Sequence, residues 1–69
     1  MTTLALTPAA AIARSISHRE IVTIPYDADH ATDLLVECED HVDAGSVTEY
    51  WGTTDDGAEW RVHMLTEVL

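Results

Sequence analysis

Residues 46–66 read "SVTEYWGTTDDGAEWRVHMLT", and the "DDG" at the centre constrains the fold more than any other stretch. The runs 46–54 and 58–68 on either side are rich in strand-forming residues. Asp55-Asp56-Gly57 suits a three-residue hairpin loop with glycine in the left-handed position, and that loop length sets the register. Tyr50, Trp60, Val62 and Met64 then share one face, and Trp60 is expected in the core. Val47, Glu49, Trp51, Arg61, His63 and Leu65 share the other. Trp51 opposes Arg61 and Glu49 opposes His63, both favourable cross-strand pairs. A two-residue Asp56-Gly57 turn would set Glu49 against Met64 on the core face, which disfavours it.

The rest of the chain must cover that hairpin. Thr7-Pro8 marks a helix start, with threonine as N-cap and proline at the first helical position. Ala9 to Ser17 continue the helix, and Ile12 and Ile16 form a narrow apolar stripe. "EIVTIP", residues 20–25, predicts a strand ended by Pro25. Ile21, Val22 and Ile24 do not alternate cleanly, as expected of a central strand covered on both faces. Asp27 is placed to cap a second helix that Gly45 would stop. On that helix Ala31, Leu34, Leu35, Cys38 and Val42 gather on one side. The predicted order is α-β-α-β-β. The fold class is α+β: one acidic domain over residues 1–69, with helices packed on a three-stranded sheet that ends in the C-terminal hairpin.

A chain of 69 residues buries only about 60% of its unfolded surface, so its stability is thin and a deep catalytic cleft is not expected. Cys38 is the single cysteine. It rules out an internal disulfide and suits a reducing, cytoplasmic setting. No 18-residue apolar run is present, hence no membrane span is expected. The first seventeen residues are acid-free and mildly apolar, which raises a targeting peptide. No base precedes the apolar part and Pro8 interrupts it, so a packed helix is the expectation.

The chemistry-bearing residues point away from catalysis. Cys38 and His41 are near in sequence, but a thiol among Leu34, Leu35 and Val42 would be a poor nucleophile. There is no CxxC pair, no His pair at i, i+4 and no EF-hand loop, so no metal site is expected. The many carboxylates look solvated, whereas acid–base catalysis needs a shifted group in a dry pocket. There is no glycine-rich phosphate loop. The expectation is no enzyme, no catalytic residue and no cofactor. Direct nucleic-acid binding is disfavoured by charge sign.

Charge is the second constraint. Thirteen acids face three arginines and no lysine, for a net charge of −10. Residues 1–19 hold two bases and no acid, and residues 20–69 hold all thirteen acids and Arg61 alone. The stretch "DADHATDLLVECEDHVDAG", read as one helix, sets Asp29, Asp33, Glu37, Asp40 and Asp43 opposite the apolar side, with Glu39 at the border. Like charges at i, i+4, such as Asp29/Asp33 and Asp33/Glu37, cost about 0.2–0.5 kcal/mol each. A marginal fold that carries this cost has a use for it. From Asp29 to Asp43 a continuous helix spans about 21 Å, with an acid per ~3.5 Å, close to the ~3.4 Å per phosphate of one B-DNA strand. Val36 falls at the centre of the acidic side, an apolar contact ringed by charge. Asp55, Asp56 and Glu59 extend the patch at the hairpin tip, and Trp51 beside Arg61 is a second contact residue. Arg14 and Arg19 are expected to offset charge within the fold.

On these features the chain resembles the small acidic proteins that phages and mobile elements use against host defence. Within that group it is similar to anti-CRISPR proteins that inhibit type I effector complexes. The resemblance rests on size, on the acids of "DADHATDLLVECEDHVD" and on the hairpin "SVTEYWGTTDDGAEWRVHM", and covers residues 20–68. It implies a stoichiometric inhibitor that occupies a basic nucleic-acid groove on an effector complex, in the host cytoplasm, and blocks target DNA. No catalytic residue is implied. Two other expectations stand beside it. One is a structural or antitoxin-like subunit that joins a homodimer or a basic partner through its hairpin. The other is a salt-adapted domain, although salt adaptation would spread acid over the whole surface. Monomer and homodimer both stay open.

Overall fold

A computed structural model describes residues 7–66. The chain forms α1 (Pro8–His18), β1 (Val22–Ile24), α2 (Ala28–Glu37), β2 (Asp40–Asp43), β3 (Val47–Thr53) and β4 (Glu59–Leu65). The α+β class stands, and the sheet has four strands where three are predicted, in the order β1-β4-β3-β2. α1 lies over β1 and β4, and α2 over β3, so both helices cover one face of the sheet. The molecule is a slab, 37 × 31 × 19 Å.

The hairpin forms in the predicted register. Tyr50 pairs with Val62, Glu49 with His63 and Trp51 with Arg61. The loop is the three-residue one. The Thr54 N–H donates to the Ala58 carbonyl at 2.8 Å and the Gly57 N–H to the Thr54 carbonyl at 2.9 Å. Gly57 takes a φ of +88°, which glycine adopts without Cβ strain. Tyr50, Trp60, Val62 and Met64 are buried, joined by Ala11, Val22, Ile24 and Leu34. Gly52 pairs with Trp60, and a Cβ at position 52 would lie 2.9 Å from the Trp60 indole. The missing side chain is what lets the ring lie flat against β3.

α1 begins as predicted, with the Thr7 hydroxyl accepting from the Ala10 N–H at 3.1 Å. It ends at Arg19, whose φ is 53°. Pro8, Ala11 and Ser15 form its buried line, and Ile12 and Ile16 flank the core. Ser15 extends the sheet. β1 starts only at Val22, so Arg61 has no strand partner on that side. The Arg61 N–H donates to the Ser15 hydroxyl at 2.9 Å. That hydroxyl in turn lies 2.7 Å from the Glu20 carbonyl and 3.1 Å from the Arg61 carbonyl.

Two expectations are corrected. β1 is an edge strand, parallel to β4, and buries only Val22 and Ile24 while Thr23 faces out. The irregular pattern of "EIVTIP" therefore reflects a short strand, since Ile21 precedes it. The predicted helix over 27–43 stops at Glu37. Asp27 caps it, accepting from the Asp29 and His30 N–H groups at 2.9 and 3.1 Å. Its last turn has no base, and Glu37, Glu39 and Asp40 crowd the carbonyl end, where negative charge opposes the helix dipole. The bare edge of β3 offers backbone pairing instead, and residues 40–43 take it as β2, antiparallel to β3. Gly45, at φ +84°, keeps its left-handed role but serves the β2–β3 turn, where the Ala44 N–H donates to the Val47 carbonyl at 2.9 Å. The apolar side of the expected helix divides accordingly. Leu34 is buried, Ala31 and Cys38 are partly buried, Leu35 is exposed, and Val42 faces out from β2.

Candidate functional site

α2 and β2 form one side of the slab, and the acids concentrate there. Asp29, Asp33 and Glu37 are exposed along α2 at i, i+4 and i+8, about 6 Å apart at 1.5 Å per residue. Asp40 and Asp43 are exposed but sit on β2, so they do not continue that line. The predicted match to phosphate density is therefore overturned, because it needed one helix to residue 43 and α2 ends at Glu37. The acids are instead divided between α2 and β2, where Asp40 pairs with Trp51 and Asp43 with Thr48, on opposite faces of the sheet. From Asp27 to Asp43 there are seven acids and no lysine or arginine.

Glu39 joins this side to the hairpin tip. Its N–H donates to the Trp51 carbonyl at 2.8 Å, and its carboxylate accepts from the Thr53 hydroxyl at 2.9 Å. Thr53 pairs with Glu59, beside the tip acids Asp55 and Asp56. All three tip acids are exposed. The Thr54 hydroxyl hydrogen-bonds Asp56 and holds its carboxyl below the usual carboxylate range, with nearby backbone N–H groups adding to the effect. Asp56 is thus fixed as an anion. Sequence reasoning set Glu39 at the border of the expected face. Its bridging role depends on β2, which the helix reading excluded.

Val36 is the most exposed large hydrophobic residue described, at 77%. It lines a shallow groove between the helices with Ile12, Ile16, Asp33 and Glu37. The expected ring of Asp29, Asp33, Asp40 and Asp43 around it is not formed, because Asp40 and Asp43 belong to β2. Trp51 is half-buried on the uncovered sheet face, opposite Arg61 and far from Val36 across the sheet.

Among the described residues the two nucleophile candidates, Cys38 and Ser15, are each held in a structural role. Cys38 is the cap of α2, and burial pushes its thiol above its ordinary pKa, with Asp40 adding to the rise. The Ser15 hydroxyl is committed to backbone groups. Among the described residues no three His, Cys, Asp or Glu side chains converge as metal ligands would. No helix of the described residues is long and apolar enough to cross a membrane. Among the described residues the one approach of a basic side chain to a carboxylate is His63 Nε2 to Glu49 Oε1, at 3.8 Å. No arginine there offsets a carboxylate by direct contact, so the acids of α2 and β2 keep their field. Comparisons with protein-family models, with curated proteins and with solved structures give no match for this chain, which leaves this geometry as the ground for a functional reading.

Proposed function

We propose that the chain is a non-enzymatic, stoichiometric inhibitor that presents its α2–β2 side and hairpin tip to a basic, nucleic-acid-binding groove of a partner protein. The observation that carries this reading is the run of seven acids without a base from Asp27 to Asp43, all exposed, three on α2, two on β2, with Asp27 capping α2 and Glu39 between the two elements. Such a surface draws a basic groove by long-range attraction and repels nucleic acid. The target class that the resemblance supplies is a type I CRISPR effector complex, with action in the host cytoplasm. Asp29, Asp33 and Glu37 form the central row, Asp40 and Asp43 the strand side, and Asp55, Asp56 and Glu59 the tip. Val36 supplies an apolar contact beside the row.

The β2 acids support a second role. β2 is an exposed edge, and charged side chains on an edge discourage strand addition by other chains. Asp40 and Asp43 fit that purpose, whereas Asp29, Asp33 and Glu37 on α2 do not need it. The two groups are separable. In a competition assay, a type I effector complex is loaded with duplex target DNA and titrated with the protein at two salt concentrations. Displacement of DNA is expected, weaker at the higher salt. Asp33→Lys with Glu37→Gln should remove it, with the melting temperature held or raised, because the like-charge contacts of Asp33 with Asp29 and Glu37 are both relieved and the acid at the carbonyl end of α2 is neutralised. Equal displacement by the double variant would exclude the α2 row as the working surface.

A further inference from the structure

α1 is more apolar than its seat on the sheet requires. Its buried line is Pro8, Ala11 and Ser15. A second stripe, Ala9, Ile12, Ala13 and Ile16, runs beside that line at the i, i+3, i+4, i+7 spacing of a helix face that packs. Ile12 and Ile16 reach the core from the side, while Ala9 and Ala13 are exposed. α1 lies on β1 and β4 and α2 on β3, and the two helices meet at few points. The stripe therefore forms one wall of a groove between them, and Val36 stands on the other wall. At 77% exposure Val36 touches little of its own molecule.

The charge at the groove decides what can fill it. Asp33 and Glu37 line it from α2, and among the described residues no arginine or histidine does. Arg14 falls on the far side of α1 from the stripe. An uncharged apolar segment laid there would take both carboxylates out of water without a partner, which is costly. A second copy of a chain of net charge −10 is repelled, and so is nucleic acid. What satisfies both walls is a helix with an apolar face and lysine or arginine along one edge. Its apolar side chains pack on the stripe and on Val36, and the small Ala9 and Ala13 let its backbone come close. Asp33 and Glu37 are one helical turn apart, about 6 Å, so bases one turn apart on the incoming helix meet both.

We infer that the groove between α1 and α2 is a docking site for a basic amphipathic helix of the partner protein, bound by its apolar face and held by its charged edge. The inference rests on the reading of α2 as the face for a basic partner and adds the apolar half of that contact. The probe is a synthetic helical peptide with leucine on one face and lysine along one edge, titrated into the full chain. Calorimetry should give one-to-one binding, and nuclear magnetic resonance should show amide shifts along both Ala9–Ile16 and residues 33–37. The same peptide with glutamate in place of lysine should not bind. Ala13→Gln fills the groove from an exposed position with a good helix former, and should weaken binding about tenfold. Val42→Thr, on β2, should leave it unchanged. A wild-type chain that does not bind the lysine peptide overturns the inference, as does an Ala13→Gln chain that binds it equally well. Shifts confined to α2 overturn it too, since charge alone would then explain the contact. A doubled mass in sedimentation that Ala13→Gln abolishes would make a second copy the occupant. Tighter peptide binding after removal of residues 2–6 would make the chain's own first residues the occupant, and either result overturns the inference. Displacement of DNA from the effector complex is read separately. If it persists while the peptide fails to bind, the inference falls and the inhibitor reading stands; peptide binding without displacement is the reverse.

Discussion

At the scale of single residues, Ser15 is the least replaceable polar side chain described. It is buried and stands in for a missing strand residue: it accepts the Arg61 N–H and donates toward the Glu20 and Arg61 carbonyls. A backbone group buried without a partner costs about 1–3 kcal/mol. Ser15→Ala should therefore lower stability by about 1–3 kcal/mol in urea titration. Exposed Ser17 on the same helix should tolerate alanine within about 0.5 kcal/mol. Equal, small effects at the two sites would show that water replaces the Ser15 hydroxyl.

Among the elements, α2 is the weakest. It has ten residues and buries only Leu34, so tertiary contact does little to hold it, and short helices are marginal by themselves. Its termini matter accordingly. The Asp27 cap holds two N–H groups, and Asp27→Ala should cost about 0.5–2 kcal/mol. The other end is unfavourable, with Glu37 facing the carbonyls and Asp33 one turn back. Glu37→Lys should stabilise by about 0.3–1 kcal/mol through the dipole, more if the Asp33/Glu37 repulsion is relieved as well. Thermal melts at low salt check both signs. A destabilising Glu37→Lys would mean that Glu37 has a local partner that outweighs the dipole.

On the scale of the whole molecule, the net charge of −10 makes every further negative charge unwelcome. Burial raises the Cys38 thiol above its ordinary value of 9.0. Tyr50 is raised above 10.0 by burial and then by Cys38 and Tyr26. Both groups hold their protons more tightly folded than unfolded. The stability this contributes is complete below the unfolded values and is lost as pH rises through the folded ones. Stability should therefore begin to fall above about pH 9. Cys38→Ser should move the onset upward, toward the tyrosine range. Tryptophan fluorescence against pH, in low and moderate salt, reads the onset. An onset unchanged by Cys38→Ser would assign the alkaline limb to Tyr50 and overall repulsion alone.

The hairpin, its register and its core face were legible because they depend on neighbours in sequence: a "DDG" loop of fixed geometry and a period-two pattern on each side. The caps at Thr7 and Asp27 were legible for the same reason, each being a side chain within three residues of the N–H it satisfies. The α+β class followed from those parts. Residues 38–43 were not legible, because their apolar spacing fits one side of a helix as well as it fits a strand. What settled them lies elsewhere in the chain. The free edge of β3 supplies backbone partners for Asp40–Asp43, and the uncompensated acids make the helix end early. The position of β1 beside β4, and the use of Ser15 to complete that edge, are likewise contacts over 40 residues or more in sequence. The sequence alone determined how much acid the molecule carries and that residues 27–43 hold no lysine or arginine of their own; that Arg14 and Arg19 do not pair with this acid, against expectation, is a finding of the structure. Tertiary structure decided that this acid is divided between a helix and a strand, because a backbone segment goes wherever its N–H and C=O groups find partners.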